Sequence, residues 1–417
     1  MTTRIEADYL IETAYDPRRA ADVMAGEQSS GTFVAVPGET VELKARAAAR
    51  VERLDVLETV EQPSLPGAGA GAGDRDRVRA SVTLSWPLDN IGPSLPNLLT
   101  TVAGNLSELK QFSGLKLVDL RLPRAFGDAY AGPKFGIAGT RKLAGVEDRP
   151  IIGTIIKPSV GFTPQQTAEL TDELCAAGID FIKDDELQSD GPACPFEDRV
   201  DAVMQVINRH ADRTGRKVMF AFNLTGDLEQ MRRRHDHVLA AGGTCIMASL
   251  NSVGLVGMIE LGRHTQLPIH AHRNGWGYLS RHPLLGFTYT AWHKLWRLAG
   301  ADHMHVYGLD NKFCESNESV ITSARACLTP LFDDRPDLTM PVFSSGQTVR
   351  QAHGTFAALG SVDLIHAAGG GIMAHPDGPA GGVMAFRQAW DAAQAGVPLE
   401  TAAADHPELA AALRGSA

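Results

Sequence analysis

Apolar and polar residues alternate with a period of two over residues 3–13, and strand-like runs recur at 51–59 and 78–86. That period places successive side chains on opposite faces, as a half-buried strand requires. A short helical stretch falls at 20–25, a helix near 95–103 and a strand near 115–122. Residues 63–73 contain Gly67-Ala68-Gly69-Ala70-Gly71-Ala72-Gly73 and read as a surface loop with no core of its own. These elements predict a small α+β domain of ferredoxin-like kind over residues 1–140. The Gly-rich stretch 127–149 reads as the connection to a second domain.

From Pro150 onward the pattern changes and repeats. Short apolar strands are each followed by an amphipathic helical segment: 151–156 then 164–177, 179–183 then 196–214, 217–223 then 228–241, and 244–249 then 255–265. The series continues with 268–272 then 290–299, 303–306 then 316–328, 341–344 then 349–359, and 362–366 then 381–395. Eight strand–helix units in roughly 260 residues predict a C-terminal (β/α)₈ TIM barrel over residues 141–417. An open doubly wound sheet is the competing α/β arrangement, but no Gly-rich dinucleotide fingerprint follows the first strand.

Composition narrows the function classes. A hydrophobic fraction of 44% and a charged fraction of 21% suit an ordinary globular chain. The formal net charge of -10 argues against nucleic-acid binding, but a local basic cluster could still hold a small anion. No apolar run is long enough to span a bilayer. The five cysteines lack metal-type spacing and read as reduced thiols in a cytoplasmic protein.

A TIM barrel carries its chemistry at the C-terminal ends of its strands. Here those ends are polar throughout: Lys157; Lys183, Asp185 and Glu186; Asn223; Ser249 and Asn251; His272 and Arg273; His305; Ser344, Ser345 and Gly346; Gly369, Gly370 and Gly371. Lys183 and Asp185, two apart, face the same way. Two carboxylates suit Mg²⁺, a hard cation that prefers oxygen ligands. A free ammonium beside them would repel the metal, whereas CO₂ added to the neutral amine makes an anionic oxygen ligand. The tetrapeptide Lys183-Asp184-Asp185-Glu186 alone also fits a salt-bridge knot at a strand end. Arg273 offers a planar fork for phosphate or carboxylate, with His272 and His305 as donors or proton carriers. Gly346 and Gly369–Gly371 come after strands seven and eight, the usual phosphate-binding loops of such barrels. Lys157 is a candidate acid/base. His303 is read as facing away from His305, into packing.

Gly153-Thr154-Ile155-Ile156-Lys157-Pro158 and Gly178-Ile179-Asp180-Phe181-Ile182-Lys183-Asp184-Asp185-Glu186 resemble segments of the RuBisCO superfamily. So do Glu27-Gln28-Ser29-Ser30-Gly31-Thr32-Phe33, Gly104-Asn105, His272-Arg273, Asp302-His303-Met304-His305, Ser344-Ser345-Gly346 and Gly369-Gly370-Gly371, spanning nearly the whole chain. The resemblance implies Mg²⁺ held by Asp185, Glu186 and a carbamate on Lys183. It implies acid/base work for Lys157, an anion site at Arg273 and His305, and a second at Thr32, Gly346, Gly369 and Gly370. A head-to-tail homodimer is implied, in which Glu27, Thr32, Phe33 and Asn105 complete the neighbouring subunit's site. Lys312, seven residues after His305, matches the lysine of the family's strand-six loop.

The chain also departs from the carbon-fixing pattern. Ser159 stands where RuBisCO has a second lysine, Phe33 where it often has Trp or Asn, and Trp276 where it has histidine. The loop Val306-Tyr307-Gly308-Leu309-Asp310-Asn311-Lys312-Phe313 differs as well. These features resemble the RuBisCO-like proteins and put ribulose-bisphosphate carboxylation in doubt. The expected chemistry is formation of an enediolate from a phosphorylated keto-sugar or keto-sugar acid. Glu27, Asn105, Lys157, His272, His305 and Lys312 together favour a transcarboxylase/hydrolase of carbohydrate catabolism, converting 3-oxo-isoapionate 4-phosphate to 3-phosphoglycerate and glycolate. A 5-methylthioribulose-1-phosphate isomerase, a 2,3-diketo-5-methylthiopentyl-1-phosphate enolase and a non-catalytic metabolite-binding relative remain the alternatives.

Overall fold

The computed structural model describes residues 3–31, 36–68 and 75–415. Its chain forms two compact units, Met1–Ala131 with Gly275–Leu298, and Gly132–Asn274 with Ala299–Ala417.

The first unit is built on a five-stranded sheet. Four of its strands are β1 (Arg4–Thr13), β2 (Arg50–Val60), β3 (Arg77–Pro87) and β4 (Phe112–Arg121). The fifth, β10 (Leu285–Phe287), comes from far along the chain, and the order across the sheet is β10-β4-β1-β3-β2. Alternation along β1 buries Ile5, Ala7, Tyr9 and Ile11 and leaves Glu6, Asp8 and Leu10 between them partly exposed. The helix Pro17–Glu27 starts where Asp16 accepts a hydrogen bond from Arg19 N, with Pro17 in the first turn. The helix Leu95–Ala103 is capped by Ser94 and buries Leu95, Leu98 and Val102. This is the expected ferredoxin-like arrangement, enlarged by β10. The sequence pattern gives no sign of the short helix Val41–Ala47. None of its residues is buried, so it has no apolar stripe to read.

The second unit is a closed barrel of eight parallel strands. They are β5 (Ile151–Ile155), β6 (Phe181–Lys183), β7 (Met219–Asn223), β8 (Cys245–Ser249), β9 (Ile269–His272), β11 (His303–His305), β12 (Met340–Phe343) and β13 (Ile365–Ala367). Their inward side chains form a core of Ile151, Phe181, Met219, Ala221, Met247, Val342, Ile365 and neighbours. Ala144 and Val146 join this core, with Ile137 and Leu143 packed against it. Ile137, Leu143 and Ala144 belong to a helix, Gly136–Ala144, inside the stretch expected to be a plain connection. The break between units accordingly falls at 131/132 and not at 140/141. Two glycines lower this helix's intrinsic propensity, and burial against the barrel core outweighs that cost.

A second difference lies at Gly275–Leu298. The helix expected to follow the fifth barrel strand spans Tyr289–Leu298 and belongs to the first unit, together with β10, which runs parallel to β4. Lys116 Nζ donates to Ser280 O and His282 O at 2.8 Å, and Lys294 Nζ to Asp119 at 2.5 Å. Trp276 is buried there in an aromatic cluster with Tyr289 and Trp292. Among the described residues, no helix is long and apolar enough to cross a membrane. Four cysteines are buried and Cys314 is exposed, none in a disulfide.

Candidate active site

Strand β6 delivers Lys183 into the barrel mouth, followed by Asp185 and Glu186. The Lys183 side chain is fully buried, its Nζ donating to Asp184 O at 2.7 Å and lying 3.5 Å from Glu186 Oε2. Burial drives the amine below its ordinary pKa, although Glu186, Asp185 and Asp184 pull the other way. Asp185 is buried, and burial alone would raise its pKa. Hydrogen bonds from Lys157 Nζ at 2.5 Å and Leu187 N at 3.1 Å hold it below the usual carboxylate value instead. Glu186 is partly exposed, with His272 Nε2 at 3.4 Å from Oε2. His272 is driven well below the usual histidine range by burial and then by the Lys183 charge, so it is neutral at pH 7.

Asp184 points the other way. It accepts from Arg199 Nη2 at 3.2 Å and Asn223 N at 2.9 Å, and both members of the ion pair are wholly buried. Burial raises the Asp184 pKa, with Arg199 the chief opposing influence. Asn223 also donates to Asp185 O and Glu186 O, at 3.4 and 3.2 Å, tying β7 to the acidic turn. Arg199→Met would leave the Asp184 carboxylate buried without its counter-charge, so a loss of about 3–5 kcal/mol in denaturant-induced unfolding is expected.

Lys157, at the end of β5, donates to Ser159 Oγ at 2.8 Å as well as to Asp185. A side chain added at Gly369 would meet Lys157 Cε at 3.8 Å, which places the strand-eight loop beside this lysine. At Gly346, in a left-handed conformation, the nearest neighbour is Lys312 Cβ at 3.5 Å. The strand-six loop therefore runs alongside the strand-seven loop. The Lys312 ammonium is exposed and sits 5.3 Å from the Phe313 ring centroid. Arg273 is buried, stacked 3.7 Å above the Tyr307 ring and paired with Glu315 at 3.1 Å. The stack and the pair fix the plane of its guanidinium.

His305 engages both ring nitrogens inside the protein, Nε2 with His270 Nε2 at 2.7 Å and Nδ1 with Ser344 Oγ at 2.9 Å. His303 does not turn away from it. Residues two apart share a strand face, and His303 points into the same interior, 3.4 Å from His270 Nδ1 and 2.8 Å from Thr140 Oγ1. Strand-end position alone does not single out His270. Its signal is the pair of segments His270-Ala271-His272 and His303-Met304-His305, which pair in register with His270 opposite His303.

Lys157, Lys183, Asp185, Glu186, His272, Arg273, His305, Ser344, Gly346, Gly369 and Gly370 thus all lie on the barrel unit. Glu27 and Asn105 are exposed on the other unit, at the end of the helix Pro17–Glu27 and in a turn. Thr32 and Phe33 lie outside the described residues. A separate cluster of His235, Asp236 and His264 has metal-like spacing. Its His235 Nε2 accepts from Gln266 N, which leaves the ring proton on Nδ1, facing Asp236. That group is hydrogen-bonded already, without a metal.

The closed parallel barrel gathers a buried lysine, paired acids and a fixed arginine at its strand ends, where TIM-barrel enzymes carry their chemistry. The chain belongs to the RuBisCO large-chain family. The ribulose bisphosphate carboxylase large chain catalytic-domain model matches residues 136–415, and the N-terminal-domain model matches 5–126. A Xanthobacter autotrophicus protein, named 3-oxo-isoapionate-4-phosphate transcarboxylase/hydrolase, is 64% identical over 99% of both chains. A Rhizobium etli 3-oxo-isoapionate-4-phosphate decarboxylase is 47% identical over 98% of both. The crystal structure of a rubisco-like protein from Burkholderia fungorum superposes with a TM-score of 0.93 at 50% identity, covering 99% of each chain.

Proposed function

We propose that this chain is a Mg²⁺-dependent transcarboxylase/hydrolase that converts 3-oxo-isoapionate 4-phosphate to 3-phosphoglycerate and glycolate. The observation that carries the reading is the full-length 64% identity to the Xanthobacter enzyme of that name. The site's chemistry agrees with it. A carbamate on Lys183, with Asp185 and Glu186, would hold the ion, and the donor set fits: a buried amine kept towards its neutral form beside two ionised carboxylates. When bound, Mg²⁺ polarises the substrate ketone and stabilises the enediolate oxygen.

The remaining work falls to the chain. Loss of CO₂ from the β-keto acid leaves its bonding electrons in the enediolate. CO₂ then adds to the other enediolate carbon. Water attack at the adjacent carbonyl cleaves the neighbouring carbon–carbon bond into two carboxylic acids. Lys157, hydrogen-bonded to Asp185 and Ser159 and 43% exposed, is placed to move the proton at the reacting carbon. His272, held neutral, can accept or return a proton on the opposite wall. Arg273 would clamp one anionic end of the substrate, and backbone N–H groups at Gly346, Gly369 and Gly370 the other. Lys312 would close over the site from the strand-six loop. A homodimer would supply Glu27, Thr32, Phe33 and Asn105 from the neighbouring subunit.

The Rhizobium relative favours one second reading, a decarboxylase that stops after the first step. Incubating the protein with 3-oxo-isoapionate 4-phosphate, Mg²⁺ and bicarbonate separates the two. Equal amounts of 3-phosphoglycerate and glycolate are expected. Release of CO₂ with a one-carbon-shorter ketose phosphate would assign the decarboxylase, and an unchanged substrate would sink both readings.

A further inference from the structure

A continuous chain of hydrogen-bonding groups crosses the barrel interior: Thr140, His303, His270, His305 and Ser344. All five are buried. The three rings are held by Phe181 and by one another, His270 lying at 85° to His305 and 75° to His303. We infer that this chain is a directional proton order, set at Thr140, that makes Ser344 an acceptor towards a hydroxyl of the substrate.

Counting protons gives the direction. Thr140 has one hydroxyl proton, and it donates to Gly136 O, a carbonyl that can only accept. Thr140 Oγ1 must therefore accept from His303 Nε2–H. A neutral imidazole has one donor and one acceptor nitrogen, so His303 Nδ1 accepts from His270 Nδ1–H. His270 Nε2 then accepts from His305 Nε2–H, and His305 Nδ1 accepts the Ser344 hydroxyl proton. Burial keeps these rings neutral, and an imidazolium at His270 or His305 is further disfavoured by neighbouring histidines and Lys183, and at His305 by Arg273 as well.

At the mouth, the Ser344 proton is committed inward, so its oxygen offers lone pairs to the pocket. His305 has no nitrogen left for an anion and acts as a positioning residue through Ser344. The identity of the Ser344 partner rests on the barrel mouth being the substrate site, but the proton order itself does not.

Thr140 lies in the helix Gly136–Ala144, outside the catalytic machinery. In Thr140→Val the His303 Nε2 position loses its partner, and a buried orphan N–H is less tolerable than a buried lone pair. The whole order should then reverse and turn the Ser344 proton towards the pocket. Long-range ¹H–¹⁵N spectra of full-length protein with ring-¹⁵N histidine read this directly, with resonances assigned by single histidine replacements. Expected for the wild type are protons on His303 Nε2, His270 Nδ1 and His305 Nε2. Thr140→Val should show the opposite nitrogens, and Thr140→Ser should restore the first pattern. With whichever substrate the enzyme turns over, Thr140→Val should raise KM about tenfold and leave Thr140→Ser near normal. The reverse order in the wild type, a mixture, or charged rings would overturn the inference, whatever the substrate proves to be. An unchanged order in a folded Thr140→Val would overturn it equally.

Discussion

Lys183→Met is expected to lower turnover by about a thousandfold or more, the equivalent of some 4 kcal/mol of lost transition-state stabilisation. Methionine nearly matches the buried stem of lysine, so the barrel core around Phe181 should remain filled. What disappears is the amine that can take up CO₂, and with it one of the three proposed oxygen ligands. Binding of the phosphorylated substrate, which is proposed to rest on Arg273 and the glycine loops, should survive. The check is a pair of measurements, steady-state turnover and calorimetric binding of a non-reacting substrate analogue. Turnover within a few-fold of wild type would remove Lys183 from the metal site. The wild type adds a pH signature. Burial lowers the Lys183 pKa, so the neutral, CO₂-reactive fraction appears at lower pH than for an exposed lysine. Activation by bicarbonate should accordingly be reached at lower pH than the ordinary lysine value would allow.

Unfolding in mild acid is the second large effect expected. His293, His303 and His366 are fully buried and pushed down to about 3, chiefly by burial, and His270 and His305 are pushed well below the usual value too. An unfolded histidine titrates near pH 6.5. Below that pH the unfolded chain takes up protons that the native chain refuses. The stabilisation is therefore complete above about pH 6.5 and is lost as pH falls towards 3. Each such histidine contributes up to about 1.4 kcal/mol per pH unit, so three alone give a slope of about 4. Asp302 works in the opposite sense. Burial raises it to about 6 despite backbone hydrogen bonds from Gly136, Ile269 and Phe135, so its contribution grows as pH falls from there to about 3.8. One carboxyl over that narrow window offsets only part of the histidine contribution. Against a typical total of about 5–15 kcal/mol, the midpoint should fall near pH 5. Urea unfolding at half-unit pH steps would measure the slope. His366→Gln, which keeps an acceptor for Trp390 Nε1, should flatten it by about 1.4 kcal/mol per pH unit. A flat stability profile between pH 6.5 and 5 would show that these histidines are not held neutral by the fold.

Much of the barrel is legible in the chain because its strands and helices differ in period, and each polar strand end interrupts an apolar run. The helices Phe196–Thr214 and Leu95–Ala103 can be placed to the residue, since proline within a residue of the start and glycine just past the end mark both. The helix Gly136–Ala144 is hidden because its glycines mimic a linker and its stabilisation comes from a barrel core assembled elsewhere in sequence. Local pattern also assigns Tyr289–Leu298 to the barrel, whereas its aromatic face and Lys294 serve the other unit. At the site, Lys183, Asp185 and Glu186 are legible as neighbours on one strand end. The pairing of Asp184 with Arg199 is not, for a buried ion pair between a strand end and the following helix leaves no spacing rule. The histidine chain needs the register of β9 against β11, which no single segment contains.

The parallel pairing of β4 with β10 bears on how the protein is made. Leu115, Leu117 and their neighbours complete their sheet only with residues 285–287, 170 positions later. At about 5–20 residues per second, that strand leaves the ribosome roughly 10–30 seconds after β4. For that interval the first unit has an open edge that the finished chain covers. A fragment ending near Ala131 would keep that edge permanently, and the emerging chain has time to recruit a chaperone to it. The last piece of the first unit is therefore delivered from within the second, and the two mature as one product of translation.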